Sequence, residues 1–134
     1  MEKNKVMLDT SAYSAFLGGH VEVKEAIQEA DEIVLSPVVL GELCAGFAMG
    51  GNRKKNRDIL KELLSSPRVQ VVVLDEETSE RYDAIITYLH AHGTPIPTND
   101  LWIAATAMQY GFKLLTTDSH YRKVAQIIVE CCTV

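Results

Sequence analysis

Short apolar runs alternate with amphipathic segments along the chain, the pattern of an α/β fold. Val6–Leu8 reads as a first buried strand, ending in Asp9-Thr10-Ser11. A short helix over 11–17 is stopped by Gly18-Gly19, and an amphipathic helix follows over 21–30. Ile33–Leu35 is a second strand. Ser36-Pro37 then opens a helix, with Ser as N-cap and Pro at the first helical position, running to Met49 before Gly50-Gly51. A further helix spans 52–64, and Pro67 ends it. Val69–Leu74 reads as a third strand, and Asp75 caps the next helix with Glu76 and Glu77 in its first turn. Tyr82, Ile85, Ile86 and Leu89 keep helical spacing up to Gly93. A helix over 99–110, a fourth strand over 114–116 and a fifth over 127–129 complete the series. The expected architecture is three-layered α/β/α, with a central, mainly parallel sheet of about five strands flanked by helices. No linker or repeat divides the chain, so residues 1–134 read as a single domain.

Composition narrows the classes. Hydrophobic residues are 47% and charged residues 23%, ordinary for a globular protein. No apolar run has the length of a membrane span, and the start of the chain lacks the apolar stretch of a signal peptide. Cys44, Cys131 and Cys132 make no disulfide framework, which suits a reducing cytoplasm. A net charge of −5 speaks against non-specific coating of nucleic acid, which runs on phosphate neutralisation by Lys and Arg. It leaves room for a nuclease, because a metal site needs clustered acids.

Such acids stand at telling places. Ligands of an open parallel sheet bind beyond the carboxyl ends of its strands. Asp9 follows strand one and Asp118 strand four, while Asp100 opens the helix leading into strand four. Glu42 is the lone charged residue between Pro37 and Asn52, in a helix apolar on nearly every side. That helix is expected to be buried, and a buried carboxylate needs a cation or a partner such as Arg53 or Arg57. Taken singly, Asp9 and Asp100 could serve as helix-end residues and Asp118 as a turn residue. Together the four would repel one another unless a cation sat among them, and Mg²⁺ or Mn²⁺ suits an oxygen-rich set. Asp75 is set aside as a cap on an edge strand. Phosphodiester hydrolysis follows as the expected chemistry, given no P-loop or GxGxxG. Arg53, Lys54, Lys55 and Arg57 oppose the dipole of their helix and could hold substrate phosphates, or could simply be a solvated helix start. His20, His90, His92 and His120 receive no role.

Three segments together, MLDTSAY, SPVVLGELCAG and PTNDLWIAATAMQYGFKLLTTDSHYRKV, resemble the PIN-domain family, and within it the toxin ribonucleases of VapBC-type toxin–antitoxin pairs. The resemblance implies a Mg²⁺- or Mn²⁺-dependent endoribonuclease, a homodimer, and inhibition by a small VapB-type antitoxin. It implies Asp9 and Asp100 as first metal ligands and Glu42 and Asp118 as the rest of the acidic set. It also implies that Thr10, Ser11, Asn99 and Thr116 support those acids by hydrogen bonds. Tyr121 stands where the family often has Phe, and the closing strand ends in Cys131-Cys132; neither is expected to touch the acids. Other readings are a stand-alone PIN-like nuclease or RNA-binding module without an antitoxin, and a phosphatase with Asp9 as nucleophile. The last wants a second aspartate two residues on, where Ser11 stands.

Overall fold

A computed structural model describes residues 3–133; the ends of the expected 1–134 span, residues 1, 2 and 134, lie outside the described residues. The apolar runs become five strands, β1 (Lys5–Leu8), β2 (Glu32–Leu35), β3 (Val69–Val71), β4 (Lys113–Thr116) and β5 (Val129–Cys131). They form one sheet in the order β3-β2-β1-β4-β5, and every adjacent pair is parallel. Val6, Met7 and Leu8 in β1, Ile33, Val34 and Leu35 in β2, and Leu114 and Leu115 in β4 are all buried. Continuous apolar runs of this kind belong to strands covered on both faces. The covering helices are α1 (Thr10–Leu17), α2 (Val21–Glu29), α3 (Pro37–Met49), α4 (Arg53–Leu64), α5 (Glu76–Ala91) and α6 (Thr98–Tyr110). None of the helices among the described residues is long and apolar enough to cross a membrane.

Strand order fixes where a site can form. From β1 the chain steps outward to β2 and β3, then returns to the other side of β1 for β4 and β5. The switch point lies between β1 and β4, where Leu8 pairs with Leu115. Residues that leave those two strands at their carboxyl ends open into one crevice. The small face of α6, with Ala104, Ala105 and Ala107 buried, lets that helix pack closely, and Gly111 ends it at φ 72, a left-handed conformation that favours glycine. Asp75 caps α5 in a reciprocal capping box with Thr78, on the edge-strand side as expected.

Three expectations need correcting. β3 ends at Val71 rather than Leu74, because its partner β2 ends at Leu35 and leaves nothing further to pair with. β5 covers 129–131 rather than 127–129; its pairing with 114–116 of β4 sets the register. Just beyond it, Cys132 is buried and its N–H donates to Thr116 O at 2.8 Å. Finally, α3 is not buried on every side. It buries Val39, Leu43 and Phe47, while Met49 is 90% exposed and Glu42 is only half-buried. The apolar composition of α3 therefore combines one face in the core with an exposed side of small residues, Gly41, Ala45, Gly46 and Ala48, ending in Met49.

Candidate active site

Asp9 leaves the end of β1 and caps α1, so its carboxylate faces the crevice while its Oδ1 accepts the Ala12 N–H at 2.7 Å. Ser11 Oγ–H is shared between both carboxylate oxygens at 2.8 and 2.9 Å. Thr116, at the end of β4, donates its hydroxyl to Oδ2 at 2.6 Å. The same Thr116 oxygen accepts the Asp118 N–H at 2.9 Å, so one buried hydroxyl ties the ends of β1 and β4 to the turn beyond. Asp9 is 3% exposed. Burial raises its carboxyl above the usual range, against the lowering effect of Thr116, Ala12 N–H and Ser11; the charge of nearby Asp100 adds to the rise.

Asp100 sits in the first turn of α6, at the positive end of the helix. Its Oδ1 accepts the Tyr121 hydroxyl at 2.8 Å, and its Oδ2 meets His120 Nε2. Asp118 Oδ1 lies 2.7 Å from His120 Nδ1 and accepts the His120 N–H at 3.1 Å. One imidazole therefore spans two of the acids. Glu42 is held from both sides: Thr10 donates to Oε1 at 2.5 Å and Asn99 Nδ2 donates to Oε2 at 3.2 Å. Thr10 and Asn99 are the chain neighbours of Asp9 and Asp100, so Glu42 is drawn to the same crevice. Its partners are these neutral groups rather than Arg53 or Arg57.

The structure thus gathers Asp9, Asp100 and Asp118 directly and Glu42 through its partners, with Thr10, Ser11, Asn99 and Thr116 all bonded to the acids. Among the described residues, no hydrogen bond or ion pair joins the basic cluster to these acids. Arg53, Lys54, Lys55 and Arg57 are exposed on the first turns of α4, and Lys54 pairs with Asp58 at 3.1 Å. His120 and Tyr121 are additions. The expectation that Tyr121 would not touch the acids is overturned by its bond to Asp100. Burial and the charges of Asp100 and Asp9 push the Tyr121 phenol well above its ordinary value, so it stays a hydrogen-bond donor. Spacing offered one signal: a carboxylate, an imidazole and a phenol at positions 118, 120 and 121, in a tight turn beyond a strand end. That turn is a 3₁₀ segment, Ser119–Lys123, capped by Asp118.

The donor set fits a divalent cation. Asp100, Asp118 and His120 each offer an atom, all within 4.8 Å of one another. The burial of Asp9 carries a testable cost. A carboxyl raised in the folded state loses stability as pH rises from its unfolded value through its folded one, and the loss is fully present above that window. Asp9→Asn lacks the titrating carboxyl, so its stability relative to the metal-free wild type is expected to rise between pH 3 and pH 7. Thermal melts of both proteins in chelator at the two pH values check this.

A PIN domain model matches residues 6–127. Ribonuclease VapC4 of Mycobacterium tuberculosis is 32% identical over 95 residues, 71% of this chain and 73% of that protein. Ribonuclease VapC1 of Rickettsia felis is 32% identical over 113 residues, 83% of each. Among solved structures, the FitAcB complex of Neisseria gonorrhoeae contains a chain matching with a TM-score of 0.78 at 28% identity, covering 92% of this chain and 95% of its own. DNA-bound VapBC2 of Rickettsia felis gives a TM-score of 0.84 at 23% identity, over 95% and 98%, a likeness of fold. The chain belongs to the PIN-domain family. Within that family it is similar to proteins named Ribonuclease VapC and Toxin FitB.

Proposed function

We propose that this protein is a divalent-metal-dependent endoribonuclease, the toxin of a VapBC-like pair, acting in the cytoplasm. The observation that carries the reading is the convergence of Asp9, Asp100 and Asp118, with Glu42 beside them, at the switch point of a parallel sheet. Relatives named ribonucleases support the substrate class. Neighbours solved as VapBC and FitAcB complexes support a protein partner. A homodimer belongs to the same proposal, and analytical ultracentrifugation of the isolated chain reads it directly.

Asp9 and Asp100 would hold Mg²⁺ or Mn²⁺, with Asp118 and Glu42 closing the acidic set. The bound ion supplies positive charge for the phosphoryl oxygen and lowers the pKa of a water. The chain's own groups prepare this. Thr116, Ser11 and the Ala12 N–H favour the ionised form of Asp9 despite its burial. Thr10 and Asn99 orient Glu42, which is more open to solvent than Asp9 and so suited to accept a proton from the attacking water. Arg53, Lys55 and Arg57 are exposed for contact with the RNA backbone.

The deciding experiment is RNA cleavage by the purified chain. Cleavage at internal positions is expected with Mg²⁺ or Mn²⁺, lost in EDTA and restored by excess metal. Cleavage that persists in EDTA, or none under any metal once the partner has been removed, would count against the reading.

A further inference from the structure

We propose that His120 is itself a metal ligand, through Nε2, and that Asp118 acts chiefly by orienting that ring. The proposal rests on the metal-dependent reading above and assigns a role to a side chain outside its acidic set.

The His120 ring is held by two carboxylates, one at each nitrogen. Asp118 Oδ1 accepts the His120 backbone N–H at 3.1 Å and lies 2.7 Å from Nδ1 of the same residue. One carboxylate oxygen thus fixes both the start of the side chain and one ring nitrogen. A proton on Nδ1 satisfies that contact and leaves Nε2 with its lone pair. Nε2 points at Asp100 Oδ2. Asp100 in turn is held by Tyr121, whose hydroxyl donates to Oδ1 at 2.8 Å and leaves Oδ2 facing the imidazole. The Tyr121 ring lies beside the imidazole with centroids 5.2 Å apart. Nε2 and Oδ2 are then two acceptors face to face, an arrangement that a shared cation reconciles.

This is the geometry of a carboxylate–histidine–metal relay, in which a ligating imidazole gives its other N–H to a carboxylate that sets its tautomer and angle. Asp118, placed two residues before His120 in a tight turn, is built for the outer position. Asp100 is built for the inner one, with a single oxygen restrained and the other turned inward. A nitrogen ligand also changes metal preference. Imidazole suits transition metals, whereas Mg²⁺ favours oxygen alone. The site is therefore expected to prefer Mn²⁺ to Mg²⁺ more strongly than a purely carboxylate site would.

Pulsed electron paramagnetic resonance of the Mn²⁺-loaded protein tests the assignment. Wild type should show the ¹⁴N modulation of a directly bound imidazole. H120Q should bind Mn²⁺ about tenfold more weakly, without that modulation and with less preference over Mg²⁺. The triple variant H20Q/H90Q/H92Q leaves His120 as the sole histidine and should keep the nitrogen signal, which guards the test against poor folding of H120Q. Mn²⁺ bound to wild type without nitrogen coupling, or with coupling unchanged in H120Q, overturns the ligand role while leaving the metal-dependent reading intact. Failure of wild type to bind Mn²⁺ at all overturns both.

Discussion

Asp100→Asn is expected to lower metal-dependent RNA cleavage about 10³-fold, roughly 4 kcal/mol of barrier, with the fold retained. The substitution keeps the shape of the side chain. The amide oxygen still accepts the Tyr121 hydroxyl, and the amide nitrogen replaces Oδ2 opposite His120. What disappears is a negative charge at the crevice and an oxygen able to ligate a hard cation. Since the charge of Asp100 helps to raise the Asp9 carboxyl, its removal should also ease the burial of Asp9. The metal-free variant should therefore melt no lower than wild type, while its Mn²⁺ affinity falls. Cleavage assays beside thermal melts with and without metal check both halves. Cleavage within twofold of wild type at matched metal would remove Asp100 from the proposed site.

Thr116→Val carries the second large effect, and it acts on stability and activity together. Valine matches threonine in volume but not in polarity. The Thr116 hydroxyl, fully buried, donates to Asp9, contacts Ser11 Oγ at 3.2 Å and accepts the Asp118 N–H. Losing it leaves a buried carboxylate short of its shortest donor and a backbone N–H without its acceptor. Each such loss costs about 1–3 kcal/mol, so a deficit of about 3 kcal/mol at pH 7 is expected. The sign with pH follows from Asp9. Thr116 lowers a carboxyl that burial raises, so its removal pushes that carboxyl higher still. The extra instability should shrink as pH falls toward the unfolded carboxylate value, where Asp9 is protonated in both states. The acid limb of the cleavage profile should move to higher pH. Urea titrations at pH 4 and 7, with a pH–rate profile, measure these shifts. An equal deficit at both pH values would mean that Asp9 is not the group coupled to Thr116.

The strand ends and helix caps were legible in the chain because they follow local rules. Asp9, Ser36 and Asp75 all cap helices as short polar residues before apolar periods do. The acids were legible because their places relative to strand ends are fixed by the α/β plan, and strand order then supplies the switch point. Glu42 shows the limit of such reasoning. Its isolation in an apolar helix reads as burial, but the exposed side of α3 is apolar only through small residues and Met49, and Glu42 answers to Thr10 and Asn99 across the crevice. Composition reports that a face is apolar, not what covers it. His120 and Tyr121 were illegible for a different reason. Their roles depend on how a 3₁₀ turn aims two rings at a helix that starts about twenty residues earlier, and no periodicity encodes that direction.

The supports of the four carboxylates are interleaved along the chain. Thr10 adjoins Asp9 yet holds Glu42, Asn99 adjoins Asp100 yet holds the same Glu42, and Thr116 precedes Asp118 yet holds Asp9. Damage at one such position therefore loosens an acid borne by a different segment. In a genetic selection for chains that have lost function, inactivating changes should fall on these hydroxyl and amide positions as well as on the carboxylates. Second-site revertants should arise across the crevice, on the segment carrying the loosened acid, rather than beside the original lesion.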